Sequence, residues 1–164
     1  MYKIYNLNKN INGEIMIKKI MSSKIISGTT NSSIKDISTL MKQNNIGFIP
    51  IKEKNKFIGV ITDRDICLAI PTLKNLNDSI ESYITNNVIS IDINSNINEA
   101  LNLMGKYKIK RLLVKEKDNI VGILSLSDIL NYTNNTNIIN TFKTIFYIHD
   151  NESSTIAEID SFYL

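Results

Sequence analysis

The chain has 164 residues, of which 43% are hydrophobic and 21% are charged, and its formal net charge is +3. These values are typical of a globular chain of one domain or two very small ones, and they exclude a large multidomain enzyme. One cysteine and one histidine argue against a disulfide framework, a Cys/His zinc site and Ser-His or Cys-His catalysis, and 17 lysines without a dense basic block argue against a nucleic-acid partner.

The N-terminal segment, residues 1–15, is rich in Asn and Lys and lacks the apolar core of a signal peptide. No run of 18 apolar residues occurs in the chain, so we expect a cytoplasmic protein without a membrane span. Codons for Gly13 and Glu14 can read GGAGAA, which resembles a ribosome-binding site at the right distance before a Met16 codon. We therefore interpret residues 1–15 as an extension and expect the native start at Met16.

The remainder of the chain repeats itself once. Residues 17–66 align without a gap on residues 80–129, an offset of 63, and 15 of the 50 positions are identical. Two copies of this length indicate a tandem duplication rather than a solenoid. A 50-residue unit buries too little surface to be stable alone, so the units should pack against each other along a shared cleft. The predicted divisions are an extension at 1–15, units at 16–70 and 80–132, a linker at 71–79 and a tail at 133–164.

The first unit begins with an apolar pair, Ile25 and Ile26, that predicts a short strand. Ser33 and Asp36 form a capping box that begins a helix, and apolar residues at helical spacing continue it to about Asn44.

A hairpin follows, with predicted strands at 46–51 and 57–61 around a polar turn. A second helix is expected from about Thr62 to Ile70, where Pro71 ends it, and Cys67 is expected to be a buried small hydrophobe in this helix.

The second unit repeats the order strand, helix, strand, strand, helix. Its predicted elements are a strand at Val88 and Ile89, a capping box at Asn96 and Glu99, hairpin strands at 109–114 and 120–124, and a helix at about 125–132. An apolar hairpin covered by helices predicts an α/β (α+β) layered unit, and the duplication predicts two such units related by a pseudo two-fold axis.

Each hairpin ends in the same pattern of Gly, two apolar residues, a hydroxyl residue, two variable residues and Asp. The two copies are GVITDRDI (59–66) and GILSLSDI (122–129). The hydroxyl residues, Thr62 and Ser125, are expected at helix N-caps, where unpaired N–H groups favour an anion such as phosphate. Three residues later, the carboxylates of Asp65 and Asp128 lie on the same face and suit the two hydroxyls of a ribose. The glycine allows a flat ring or a backbone to approach closely.

The same residues also allow a purely structural interpretation. Thr62 with Asp65, and Ser125 with Asp128, each match an ordinary capping box. Because a duplication copies helix caps as faithfully as binding sites, the repetition leaves both interpretations open.

The tandem units, each closing with G-x-x-[TS]-x-x-D-[IL], resemble a pair of CBS domains, often called a Bateman module. TDRDI in the first copy is similar to the form found in IMP dehydrogenase-like and standalone bacterial CBS proteins. The resemblance covers about residues 16–132 and implies a regulatory module, frequently a homodimer, that binds adenosine-containing ligands in the cleft between its repeats. The implied ligands are AMP, ADP, ATP, S-adenosylmethionine, NAD species or cyclic di-AMP, with no obligatory cofactor and no metal.

The resemblance also implies roles for individual residues. The ribose-binding acid falls on Asp65 and Asp128, and the phosphate-facing hydroxyl on Thr62 and Ser125. In this family the adenine is held by backbone and apolar groups before the first helix and at the start of the hairpin. These groups fall on Ile26, Ser27, Ile46 and Gly47 in one site and on Ile89, Ser90, Ile109 and Lys110 in the other.

Both arginines of the chain, Arg64 and Arg111, lie inside these motif regions. Each is a candidate phosphate contact because a guanidinium fork matches phosphate, and the alternative is a surface arginine paired with a nearby carboxylate.

Two departures from the family pattern predict that the two sites differ. Pro50 keeps the proline usual in the first hairpin strand, whereas Leu113 replaces it in the second copy. The Asp-Arg pair at 63–64 becomes Leu-Ser at 126–127, so the charge at the two sites is unequal. We therefore expect unequal affinities.

The sequence favours a non-enzymatic ligand sensor that binds an adenine nucleotide and signals to an unidentified protein partner in trans. The alternative is a ligand-independent interaction or dimerisation module whose motifs serve only as helix caps. An enzyme is disfavoured because no histidine, metal cluster or Walker loop accompanies the carboxylates. The tail carries a short apolar stripe and is expected to pack on the module, with His149 at the surface.

Overall fold

The computed structural model describes residues 16–132, so the predictions for residues 1–15, for the tail at 133–164 and for His149 lie outside the described residues. Within that range, the chain forms two three-stranded mixed sheets with helices on them. The first unit contains β1 (Gly28–Thr29), α1 (Ile34–Asn44), β2 (Phe48–Glu53), β3 (Lys56–Thr62) and α2 (Asp63–Ala69). The second contains β4 (Ser90–Asp92), α3 (Ile97–Tyr107), β5 (Arg111–Glu116), β6 (Asn119–Ser125) and α4 (Leu126–Tyr132). The predicted α/β fold class is confirmed.

Each sheet has its strands in sequence order, with the first pair parallel and the second pair antiparallel. The hairpin strands run further into the polar residues than predicted, because the turns are shorter. In the first hairpin only Lys54 and Asn55 lie between the strands, both with positive φ (46° and 66°), as two-residue hairpin turns require. The charged ends of these strands extend past the core into solvent.

The helices begin and end for local reasons. Ser33 caps α1 in a complete capping box with Asp36, and the left-handed Asn45 (φ 50°) ends it. Asn96 accepts from the N–H of Glu99 at the start of α3, and Lys108 (φ 53°) ends that helix in the same way.

The leading strand of each unit begins later than the sequence predicts. Ile26 and Ile89 precede β1 and β4 and pack partly buried against the core of their own unit. Their apolar character therefore reflects packing, whereas the strand begins where the backbone pairs with the hairpin.

The prediction that Cys67 is buried is wrong: it is exposed. On α2 the inward-facing residues are Ile66 and Ala69, which lie three apart, so Cys67 projects from the opposite side together with Leu68.

Each unit is completed by a segment that precedes the other unit's sheet. Ile17, in a short 3-10 turn at Ile17–Lys19, is fully buried in the core of the second unit, with Ile20 beside it. Its repeat equivalent Ile80 is fully buried in the core of the first unit. The two cores therefore exchange entry segments symmetrically, and each unit's core contains a buried isoleucine from the segment that leads into the other unit.

The exchanged segments also pair with the sheets by backbone hydrogen bonds. Val60 on β3 exchanges both bonds with Thr85 at 3.0 and 2.9 Å, and Ile123 on β6 does the same with Ser22 at 2.9 Å. The motif glycines lie beneath these crossings. A Cβ on Gly59 would lie 2.8 Å from the carbonyl oxygen of Thr85. The Ile84 side chain lies closer still, so the glycine makes room for the backbone and a side chain of the crossing segment. Of the two explanations that the sequence left open, the approach of a backbone is the one that the structure supports.

Candidate functional site

A cavity of about 730 Å³ lies between the two units. Its volume is within the range of roughly 300–1,000 Å³ found for small-molecule sites. It is lined by Gly47, Phe48, Val60, Thr62, Asp63, Arg64 and Asp65 from the first unit and by Thr85, Asn87, Val88, Ile89, Lys108, Ile109, Lys110, Arg111 and Leu113 from the chain leading into the second unit and from that unit itself.

A smaller cavity of about 230 Å³ occupies the equivalent place on the other side of the pseudo two-fold axis. It is lined by Ser22, Lys24, Ile26, Ile46, Phe48, Arg111, Ile123, Ser125 and Asp128. The predicted difference between the two sites thus has a structural counterpart in their volumes.

Each cavity combines the motif acid of one unit with apolar residues of the other. Asp65 of the first unit shares the larger cavity with Ile89 and Ile109, and Asp128 of the second shares the smaller one with Ile26 and Ile46. The sequence predicted these apolar groups but not which acid each would join.

Not every predicted residue follows this pairing. Gly47 was grouped with Ile26 and Ile46, yet it lines the larger cavity, because its carbonyl accepts from the N–H of Asp63 at the start of α2. Ser27 and Ser90 line neither cavity.

The motif hydroxyl and carboxylate form the same arrangement in both cavities. In the larger, Asp65 Oδ2 accepts from the Thr62 N–H at 2.8 Å and from Thr62 Oγ1 at 2.7 Å, and the Asp65 N–H donates back to Thr62 Oγ1 at 3.3 Å. Ser125 and Asp128 repeat these three bonds at 2.8, 2.6 and 3.1 Å. Both pairs are therefore complete capping boxes, as the structural interpretation predicted.

The caps use only one oxygen of each carboxylate. Oδ1 of Asp65 and Oδ1 of Asp128 accept no hydrogen bond from any residue between 16 and 132. Each acid lines a cavity, so this second oxygen is the one that can accept a ligand hydroxyl without breaking the cap. The capping and binding interpretations are compatible.

A third capping box lies outside both cavities. Asp36 Oδ2 accepts from the N–H of Ser33 at 2.9 Å and from its hydroxyl at 2.8 Å. The backbone and side-chain hydrogen bonds from Ser33 lower the pKa of Asp36 below its ordinary value of 3.8. Asp36 therefore has the local geometry of Asp65 and Asp128 without the cavity.

The two cavities carry unequal numbers of basic side chains. Arg64, Lys108, Lys110 and Arg111 line the larger, together with Asp63 and Asp65. Lys24 and Arg111 line the smaller, together with Asp128. Neither arginine forms an ion pair with any residue between 16 and 132, so within that range the alternative of a carboxylate-paired surface arginine does not apply.

Sequence reasoning missed Phe48, which lines both cavities. The repeat offset makes Arg111 its equivalent, and the Arg111 guanidinium carbon lies 5.8 Å from the centre of the Phe48 ring. Both residues begin the central strand of their sheets, opposite Thr62 and Ser125 in the strand register. The only sequence signal was the predicted hairpin, which brings residues near its open end beside the motif hydroxyl; the register that selects Phe48 comes from the structure.

The Pro50 and Leu113 departure also has a visible consequence. The N–H of Leu113 donates to the carbonyl of Ile89 at 3.3 Å, and β4 begins at the next residue. Pro50 has no N–H, so the equivalent bond to Ile26 cannot form, and β1 is one residue shorter.

Within residues 16–132, no set of three or more His, Cys, Asp or Glu side chains is arranged to hold a metal ion. The helices of the same range include none with the length and apolar character needed to cross a membrane.

The family model described as "CBS domain" matches the chain twice, at residues 17–72 and 80–135. Among curated proteins, the CBS domain-containing protein YhcV of Bacillus subtilis is 30% identical over 114 residues, which cover 69% of this chain and 81% of that protein. The uncharacterized protein MJ0653 of Methanocaldococcus jannaschii is 39% identical over 119 residues, covering 71% of this chain and 61% of that protein.

Solved structures give the same match. The CBS domain protein TA0289 of Thermoplasma acidophilum superposes with a TM-score of 0.71 at 19% identity, covering 80% of this chain and 76% of that one, and supports the fold alone. The CBS domain pair of protein MJ0100, in complex with 5′-methylthioadenosine and S-adenosyl-L-methionine, gives a TM-score of 0.65 at 28% identity, covering 72% of this chain and 94% of that one.

Proposed function

Because the chain belongs to the CBS domain family, with two CBS units in tandem, we propose that it is a regulatory module that binds adenosine-containing ligands between these units. Binding changes the geometry or the dimer equilibrium of the module, and a protein partner reads that change in trans. A ligand produces such a change only if it binds the two states with different affinity. The module itself is not a catalyst in this proposal.

One observation carries the proposal: a motif carboxylate with an unused oxygen lines a cavity whose apolar wall comes from the other unit. In the larger cavity, Asp65 Oδ1 accepts from a ribose hydroxyl, while Ile89 and Ile109 contact the adenine. The apolar wall contributes area burial and the carboxylate contributes charge-assisted hydrogen bonds. A ligand bound in this way contacts both units and therefore responds to their relative position.

The complex of MJ0100 supports the ligand class. That CBS domain pair holds 5′-methylthioadenosine and S-adenosyl-L-methionine, which share an adenosine moiety. At 28% identity over 72% of this chain, the same class of ligand is the first to test here.

The basic residues favour a phosphorylated ligand in the larger cavity. Arg64 and Arg111 line it without a carboxylate partner among residues 16–132. Guanidinium groups bind phosphate through two parallel hydrogen bonds. AMP, ADP and ATP are therefore the preferred candidates there, and AMP, the smallest of the three, is the candidate for the smaller cavity of about 230 Å³, which Lys24 and Arg111 line.

The test is a thermal-shift panel of AMP, ADP, ATP, S-adenosylmethionine, NAD, cyclic di-AMP and 5′-methylthioadenosine. A ligand at one hundred times its dissociation constant stabilises the protein by about 2.7 kcal/mol. For a chain of this size that corresponds to a rise in Tm of several degrees.

Substitutions then assign the sites. Asp65→Asn and Asp128→Asn should each weaken the ligand-induced shift at one site. Asp36→Asn is the matched control, because Asp36 forms the same capping box outside both cavities. It should lower the Tm of the free protein and leave the shift unchanged. If none of these ligands shifts the Tm, the proposal is wrong.

The alternative function, a ligand-independent interaction or dimerisation module, is favoured by the exposed apolar residues of the second helices. Leu68 and Ile70, at the C-terminal end of α2, are 65% and 60% exposed, and Leu130 on α4 is 41% exposed. Light scattering of the wild type and of Leu68→Glu tests it: a dimer that the substitution dissociates, in a protein whose Tm none of the ligands shifts, supports this function.

A further inference from the structure

Phe48 and Arg111 form a wall that the two cavities share. They are equivalent positions of the repeat, they begin β2 and β5, and each lines both the cavity of about 730 Å³ and the cavity of about 230 Å³. The Arg111 guanidinium carbon lies 5.8 Å from the centre of the Phe48 ring, within reach of a cation–π contact.

We propose that Arg111 couples the two cavities, so that a phosphorylated ligand in the larger one weakens ligand binding in the smaller one. A guanidinium is a rigid planar fork, and its paired donors engage one anion at a time. When it engages a phosphate in the larger cavity, it no longer serves the smaller one. This inference rests on the proposed function, because it requires that both cavities bind ligands.

The strand register indicates where Arg111 acts when the larger cavity is empty. Its register partner on β6 is Ser125, a residue that lines the smaller cavity. Arg111 is half-buried and has no carboxylate partner between residues 16 and 132 that would fix its guanidinium. It can therefore orient toward either cavity at low cost.

The effect on the two cavities is unequal. The larger cavity also contains Arg64, whereas the basic residues that line the smaller one are Lys24 and Arg111. Withdrawing Arg111 thus removes half of the cationic side chains of the smaller cavity. The coupling therefore lowers affinity mainly in the smaller cavity, and the larger cavity fills first.

Isothermal titration calorimetry of the full chain with AMP measures this coupling. In Asp65→Asn the larger cavity is disabled, and the titration gives the AMP affinity of the smaller cavity alone. In the wild type the titration gives the AMP affinity of the smaller cavity while the larger one is filled. We expect the smaller cavity to bind AMP about tenfold more weakly in the wild type than in Asp65→Asn, a typical coupling between sites.

Substitutions of Arg111 and Arg64 and a second ligand assign the coupling to Arg111. Without Arg111 the coupling should vanish, so the smaller cavity should bind AMP with the same affinity in Arg111→Met and in Asp65→Asn/Arg111→Met. Circular dichroism checks the fold of these variants, and Arg111→Gln repeats the test if the Met substitution perturbs it. Arg64→Met should weaken the larger site and keep the coupling once that site is saturated. Titration with 5′-methylthioadenosine, which has no phosphate, should give the same affinity at the smaller site in the wild type and in Asp65→Asn.

The outcomes separate the two proposals. If AMP binds at two sites with independent affinities in the wild type, or if the coupling persists in Arg111→Met, the coupling proposal is overturned and nucleotide binding stands. If neither AMP nor 5′-methylthioadenosine binds the wild type, the proposed function and the coupling fail together.

Discussion

Ser22 and Ile123 exchange two backbone hydrogen bonds of 2.9 Å, although they belong to different repeats. Val60 and Thr85 form the equivalent pair on the other side of the molecule. Each unit is therefore closed by a segment that the other unit's repeat contributes. A change in the angle between the units would strain these pairs, and under the proposed function they would connect ligand binding to the geometry of the module.

The motif glycine Gly122 is required by this crossing. A Cβ at Gly122 would lie 2.8 Å from the carbonyl oxygen of Ser22 and 2.7 Å from the sulfur of Met21. We expect Gly122→Ala to lower the free energy of unfolding by about 1–3 kcal/mol, as overpacking in cores does. Urea denaturation measures the loss.

Ser127→Ala, at an exposed position of α4, is the control for Gly122→Ala and should change stability by less than about 0.5 kcal/mol. Equal stabilities of Gly122→Ala and the wild type would mean that the crossing segment does not lie against β6.

The entry segment should stabilise the unit that it packs into. Ile17 is fully buried in the core of the second unit, and we expect Ile17→Ala to cost about 2–5 kcal/mol. Hydrogen exchange should show the loss of protection first in β5 and β6. Lys18→Ala, in the same turn but exposed, is the control. Loss of protection confined to the first unit would contradict the exchange of segments.

Arg64 should select for phosphate in the larger cavity. We expect Arg64→Gln to weaken AMP binding there about tenfold, which is about 1.4 kcal/mol, because a charge-assisted hydrogen bond is lost. Binding of 5′-methylthioadenosine should not change, since that ligand has no phosphate. Calorimetry with both ligands checks this, and an equal loss for the two would assign Arg64 a structural role.

The capping box of α1 should be visible in the pH dependence of stability. The pKa of Asp36 is lowered in the folded protein by its hydrogen bonds from Ser33, so its contribution is fully present above the unfolded pKa near 3.8 and is lost as the pH falls through the lower folded pKa. We expect Asp36→Asn to be less stable than the wild type between pH 7 and pH 5. The difference should shrink below about pH 4. A difference that stays constant down to pH 3 in urea denaturation would rule out this ionisation.

Much of the fold could be predicted because its signals are local. The capping residue Ser33, the helix end near Asn45 and the presence of each hairpin depend on neighbouring residues, and the repeat presents each of these signals twice. The strand starts and the exposure of Cys67 were predicted wrongly, because they depend on which backbone pairs with the hairpin and on which face of α2 meets the core.

The candidate site, like the fold, could be predicted from the sequence only in part. The residue types at Asp65 and Asp128 indicated both a cap and a ribose contact, and the structure contains the cap in full while leaving the second oxygen of each acid without a partner among residues 16–132. The role of Phe48 could not be predicted from its residue type. It follows from the pseudo two-fold axis, which brings residue 48 against its own repeat equivalent.

The sequence by itself determined that the chain contains two copies of one unit, which elements each copy forms, and which acids and arginines carry the motif. These properties follow from spacing along the chain, where periodicity and capping act within a few residues. Only the tertiary structure decided that each cavity takes its acid from one unit and its apolar wall from the other, that the cavities differ about threefold in volume, and that Arg111 lines both. Those facts depend on how two marginal cores bury each other's entry segments, which no local pattern encodes.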